Sequence, residues 1–170
     1  MKTTFTLIAS LVFSLFLSSP ITASKIYPSI AFIGGDDKCL VLTGTLMADG
    51  KKLPDLEVSL MADGKVVEEF VSKGTKDIKF KLTRDKDYSL LVKKEGFVPA
   101  VFVISTKLPK NVTEYNYHVE FTYDMIPQQN SLNKEYLDYP AAYVMYYKNK
   151  DEFAVSKKYI THIKKCLGKS

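Results

Sequence analysis

Residues 77–105 read DIKFKLTRDKDYSLLVKKEGFVPAVFVIS. Ile78, Phe80 and Leu82 alternate with Lys79 and Lys81, a period of two that sets one face in a core and the other in water. Tyr88, Leu90 and Val92 repeat the pattern after the polar turn TRDKD. Glu95-Gly96-Phe97 marks a second turn. Residues 98–104 then form a nearly continuous apolar run with the β-branched bias of a buried strand. The stretch therefore predicts three short strands of a sandwich sheet joined by two turns.

The pattern extends in both directions. Upstream, CLVLTGTLM (39–47) predicts a first core strand, with Leu40, Leu42 and Leu46 on the face that also carries Gly44. A glycine there points to a bulge or a close backbone approach. Asp49-Gly50 predicts a turn, and Pro54 holds residue 53 extended. Val58 and Leu60 predict an inward strand face, and Asp63-Gly64 is a strong hairpin signal. The return strand, KVVEEFVS (65–72), has an ambiguous face, because Val66/Phe70 and Val67/Val71 fall on opposite sides; an edge or crossing strand fits it. Downstream, EYNYHVEFTYD (114–124) alternates cleanly, with Tyr115, Tyr117, Val119, Phe121 and Tyr123 on one side. Seven short strands separated by turn signals predict an antiparallel β-sandwich over residues 39–126.

Composition changes after Pro127. A polar link leads into a tyrosine-rich extension, 127–170, holding Tyr136, Tyr139, Tyr143, Tyr146, Tyr147 and Tyr159. Residues 142–147 suit an extra strand. Ser156 suits an N-cap for a helix from residue 157 to about 167, where Tyr159, Ile160, Ile163 and Leu167 make an apolar stripe. Gly168 suits its end.

At the other end, residues 1–23 have the form of a signal peptide. Lys2 precedes the apolar core FTLIASLVFSLFL, and Ala23 suits cleavage before Ser24. Residues 24–38 follow as a leading arm. The apolar core is short for a permanent span, and no other run approaches the roughly 18 apolar residues of a membrane helix. The sequence thus predicts an exported protein of the periplasm or cell surface, with no transmembrane segment in the mature chain. Removing residues 1–23 takes away only Lys2 among the charges and lowers the formal charge from +5 to +4. The lysines are scattered rather than striped, which argues against a nucleic-acid partner.

The chain has two cysteines, Cys39 and Cys166. In an oxidising compartment such a pair is expected to bridge. The bridge would close a very long loop and contribute roughly 4–5 kcal/mol. The alternative is two separate thiols.

Catalytic patterns are scarce. There are two histidines, His118 and His162, too few for a zinc peptidase. His118 and Glu120 fall on the wet face of one strand, half of a surface metal site at most. His162 and Cys166 share a helix face but lack a third orienting group, so they are not read as a nucleophile pair. No pattern calls for a metal or cofactor. The tail tyrosines admit two readings: an interaction patch formed by Tyr136, Tyr139, Tyr143, Tyr146 and Tyr147, or a flap packed on the sandwich, which is favoured.

An ordered set of short motifs resembles the carboxypeptidase regulatory-like domain, a transthyretin-like (prealbumin-type) seven-strand sandwich. The set is Thr43-Gly44-Thr45-Leu46, Asp49-Gly50-Lys51-Lys52-Leu53-Pro54, Val58-Ser59-Leu60, Lys79-Phe80, Asp87-Tyr88-Ser89-Leu90 and Lys94-Glu95-Gly96-Phe97-Val98. The family pattern carries a glycine two residues before the central-strand Phe. Ile78 stands there, so the turn between Ser72 and Asp77 is expected to be built differently. The tail, with Asp138-Tyr139-Pro140, resembles that of small exported proteins of Gram-negative envelopes. The resemblance implies a non-catalytic module and supplies no catalytic residues. The expected function is an exported binding or assembly module with an envelope protein or glycan partner. A carbohydrate-binding sandwich and a hydrolase with an unrecognised site are the alternatives.

Overall fold

A computed structural model describes residues 37–112 and 116–168. The stretch expected to be a signal peptide, the expected leading arm up to residue 36, and Tyr115 lie outside the described residues. The elements are β1 (Lys38–Ala48), β2 (Lys51–Lys52), β3 (Glu57–Ala62), β4 (Lys65–Val71), β5 (Ile78–Thr83), β6 (Asp87–Lys93), β7 (Ala100–Ser105) and β8 (Tyr117–Asp124). A 3₁₀ turn (Lys134–Tyr136), β9 (Ala142–Tyr147), β10 (Glu152–Val155) and α1 (Lys157–Leu167) follow.

Two sheets face each other. In the smaller, β1 lies between β5 and β8, and β2 continues along the end of β1; the larger runs β10-β9-β7-β6-β3-β4. The alternating apolar residues of both sheets meet in one core. Leu40, Leu42, Phe80 and Leu82 come from one side; Val58, Leu90, Val92, Phe102 and Ile104 come from the other. Phe102 joins the layers, with its ring centroid 4.9 Å from that of Phe121 and 5.3 Å from that of Tyr123. Fully burying each such side chain stabilises by about 1.5–3 kcal/mol. The expected class, a mainly β sandwich with a C-terminal strand and helix, is what the chain forms.

Several details differ from expectation. The opening stretch does not lie in one sheet. β5 pairs with β1, whereas β6 and β7 form a hairpin in the larger sheet. The TRDKD turn therefore crosses between layers, which alternation alone cannot distinguish from a turn within a sheet. Asp85 there has a positive φ of 58°. Two pairings are parallel, β1 with β8 and β7 with β9. The chain between β7 and β9 passes through β8 in the opposite sheet, which supplies the long crossover that parallel strands need.

The ambiguous strand β4 is an edge strand, and a bulge settles its faces. Leu60 is opposite Glu68, but Met61 is opposite Val66. Val67 is therefore the extra residue, and alternation slips by one there. Phe70 and Val67 pack against the core, while Val66 and Val71 face outward, 58% and 54% exposed.

The glycine missing at position 78 has a counterpart across the strand pair. Gly44 is the register partner of Ile78, and a Cβ at residue 44 would lie 3.1 Å from Ile78 Cγ1. The bulky and the small residue thus stand on opposite strands of one pair. The turn before β5 is made instead by Gly74 at φ 62°, whose N–H donates to Asp55 Oδ1 at 3.2 Å. The buried Ser72 seals it, its hydroxyl accepting from Leu56 N at 2.9 Å.

No bridge joins Cys39 and Cys166; both are free. Cys39 points into the core from β1 in the smaller sheet, where its thiol donates to Thr106 O at 4.0 Å. Cys166 sits on α1, which packs against β9 of the larger sheet. The two sulfurs belong to different layers, so the fold does not bring the two ends of the chain together at the cysteines. Thr106 is itself fully buried. Its hydroxyl lies 2.7 Å from Thr83 O and 3.0 Å from Lys86 O, and accepts from Lys86 N at 3.0 Å, which pins the crossing turn to the end of β7.

Candidate functional site

The extension after Pro127 is built into the sandwich. Ala141 N donates to Val101 O at 2.6 Å and leads the chain into β9, which extends the larger sheet beyond β7. The β9–β10 hairpin then reaches the free edge of β8. Rings of Tyr117, Tyr146 and Phe153 meet there in edge-on contacts, with centroids 5.2–5.7 Å apart. Tyr117 and Tyr146 both donate their hydroxyls to Asp151 Oδ1. Tyr146 is held well above the ordinary tyrosine range, chiefly because its phenolic proton is engaged by Asp151.

β9 alternates, so its tyrosines part company. Tyr146 faces inward to that aromatic seam. Tyr143 faces α1 and meets Tyr159 edge-on at 4.7 Å. Burial, with Tyr143 and Tyr139 as lesser neighbours, pushes Tyr159 up to about 12. Ser156 precedes α1 with extended backbone but makes no side-chain cap; its N–H donates to Tyr143 O at 3.1 Å instead. Gly168 ends the helix in ordinary right-handed geometry, φ −79°.

Tyr136 closes the 3₁₀ turn, and Tyr139 lies three residues beyond it. Asn133 Oδ1 accepts from Glu135 N at 3.1 Å, and Asn133 N donates to Leu167 O at 3.0 Å, so the turn is tied to the end of α1. The two rings stack at 5.3 Å with a 32° tilt. Tyr139 is 51% exposed, the most open large apolar side chain of the extension. The expected five-residue patch is therefore divided. Tyr136, Tyr139 and Tyr143 lie on the α1 side, Tyr146 is part of the seam, and Tyr147 is half-buried at the hairpin, opposite Glu152.

The same face carries the second cysteine. Cys166 Sγ lies 3.7 Å from His162 Nε2, one helical turn away. Tyr136 is raised above its ordinary value, first by the charge of Cys166 and then by Glu135. Sequence reasoning placed Cys166 and His162 on one face but missed Tyr136, which no spacing rule links to a helix thirty residues on. Cys39 is a different thiol. Its burial, partly offset by Arg84, pushes it up to about 11.

Two carboxylates are tied into local clamps. Asp77 accepts from Lys52 at 2.8 Å and from the Thr45 hydroxyl at 2.7 Å, contacts that lower its carboxyl. Asp87 is lowered by Lys107 and Ser105. His118 and Glu120 are exposed on the wet face of β8. Among the described residues no group of three His, Cys, Asp or Glu side chains is placed to hold a metal ion, and no helix is long and apolar enough to cross a membrane.

No family model and no curated protein matches the sequence. Solved structures that resemble the chain include 5-hydroxyisourate hydrolase from Klebsiella pneumoniae, at 16% identity and TM-score 0.36, covering 52% of this chain and 92% of that one. S.CueP is similar at 17% identity and TM-score 0.33, covering 54% and 64%. Chlorocatechol 1,2-dioxygenase from Pseudomonas putida is similar at 15% identity and TM-score 0.36, covering 59% and 64%. This chain spans less than two thirds of the latter two. None of these scores reaches 0.5, so nothing about the chemistry of this chain follows from them.

Proposed function

We propose that the protein is an exported, non-catalytic binding module of a Gram-negative envelope, related to carboxypeptidase regulatory-like domains, which holds an envelope partner on its C-terminal layer. The observation that carries this reading is the Tyr136–Tyr139 stack, with Tyr139 half in solvent on a turn fixed to α1. A rigid, half-exposed tyrosine offers large contact area and a polar tip at small entropic cost. The sandwich supplies the rigidity, because β9 is hydrogen-bonded into the larger sheet.

Photo-crosslinking in intact cells tests this, with a photoreactive residue at position 139 and a control at position 79 on the wet face of β5. One discrete adduct at 139, abolished by Tyr136→Ala and absent at 79, supports the module. Equal labelling at both positions, or none at 139, overturns it.

A further inference from the structure

We infer that the flank formed by β4 and β5 is the interface of a symmetric dimer of this chain, in which β4 of one copy pairs with β5 of the other and Glu69 meets Lys81. The inference does not depend on the envelope partner, which is held at the other end of the larger sheet. A link between two copies has twice the chain mass and is distinct from the envelope adduct at position 139.

The two flanks of the sandwich are finished differently. The β9–β10 hairpin covers β7 and β8. On the opposite flank β4 pairs only with β3, and β5 only with β1, among the described residues. Each strand therefore turns a row of backbone donors and acceptors outward, ready to accept another strand. Val66 and Val71 of β4 are the most exposed large hydrophobic side chains described, at 58% and 54%.

Charge decides which strands meet. Glu69 is exposed on the outer face of β4, and Lys79 and Lys81 are exposed on the outer face of β5. None of the three takes part in an ion pair within the chain among the described residues. Joining β4 to its own copy would bring Glu68 and Glu69 against acids, and joining β5 to its own copy would bring lysines together. Like charges directly opposite each other are unfavourable. Only β4 against β5 sets acid beside base.

The fold permits that pairing twice over. β4 leads into β5 through a short connection, so the two run in opposite directions in facing sheets. Phe70 and Phe80 stand at one level, their ring centroids 6.0 Å apart. A twofold axis parallel to the strands keeps each residue at its level and each strand in its direction. It lays β4 antiparallel to β5 of the second copy, and β5 antiparallel to β4 of that copy, so one isologous contact extends both sheets. One residue from the Phe level, Glu69 faces Lys81 of the second copy. On the other side of that level Val71 faces Lys79 of the second copy, whose aliphatic stem covers it.

Sedimentation equilibrium of the full chain over a concentration series tests this. The parent should reach twice the chain mass. Glu69→Lys and Lys81→Glu should each weaken the dimer about tenfold or more, with unchanged circular dichroism, and the double variant Glu69→Lys with Lys81→Glu should restore it. A parent that stays monomeric throughout, single reversals that leave the dimer intact, or a double variant no better than the singles would overturn the assignment. So would a dimer strengthened by Glu69→Lys alone, because that outcome requires β4 to pair with its own copy.

Discussion

The ring of Phe121 occupies the space that a side chain on residue 44 would need. A Cβ at Gly44 would stand 2.6 Å from Phe121 Cζ and 3.0 Å from its Cε1. Gly44 and Phe121 are register partners in the parallel β1–β8 pair, and Phe121 in turn packs on Phe102 across the core. Absence of a side chain at one position thus lets an aromatic bridge the two sheets.

Gly44→Ala should therefore destabilise the sandwich by about 1–3 kcal/mol through overpacking. A urea unfolding midpoint measures it. In a double-mutant cycle with Phe121→Leu, the pair should lose less than the sum of the two single changes. Strict additivity would show that the two side chains do not compete for one space.

The Asp151 carboxylate holds the C-terminal hairpin to β8 through Tyr117 and Tyr146. Tyr146→Phe keeps the ring contacts but removes one charge-assisted hydrogen bond. Hydrogen exchange should show faster opening confined to β9 and β10, with the β3–β6–β7 amides unchanged. Uniform acceleration across both sheets would contradict a local clamp.

Alkaline pH should unfold the protein through its buried phenols. Burial, with Asp124 a lesser cause, pushes Tyr123 from 10.0 up to about 12, and Tyr159 is raised likewise. The unfolded chain releases these protons first as pH passes 10. Stability is fully present below pH 10 and falls as pH rises toward 12. Tyr123 is only 4% exposed, so its share is about 2–3 kcal/mol. Tyr123→Phe should flatten the fall in a pH series of unfolding midpoints; an unchanged slope would contradict the assignment.

The strands were legible in the sequence wherever one face is wet. β5 and β8 alternate because a polar residue fills every second place, and β6 does so except at Leu91; Asp63-Gly64 marked its hairpin directly, with φ of 49° and 77°. Residues 142–147 and 157–167 were read with the bounds that β9 and α1 have. The layer in which each strand lies was not legible, because alternation reports a face and not a partner. β10 escaped notice because it is four residues long. The bulge at Val67 was visible only as conflicting faces in β4. The cysteines misled because compartment chemistry argues for a bridge while topology places them in different layers. At the site, helical spacing joined His162 to Cys166. Only the fold could bring Tyr136 to the same sulfur, or divide Tyr146 from Tyr139.

Size-exclusion chromatography of gently solubilised envelope extract tests the central claim most directly, comparing the parent chain with Tyr139→Ala. The parent should elute in a complex larger than the free protein, and Tyr139→Ala should elute as the free chain with an unchanged unfolding midpoint. Identical elution of the two, whether both bound or both free, would contradict a partner held on the C-terminal tyrosine surface.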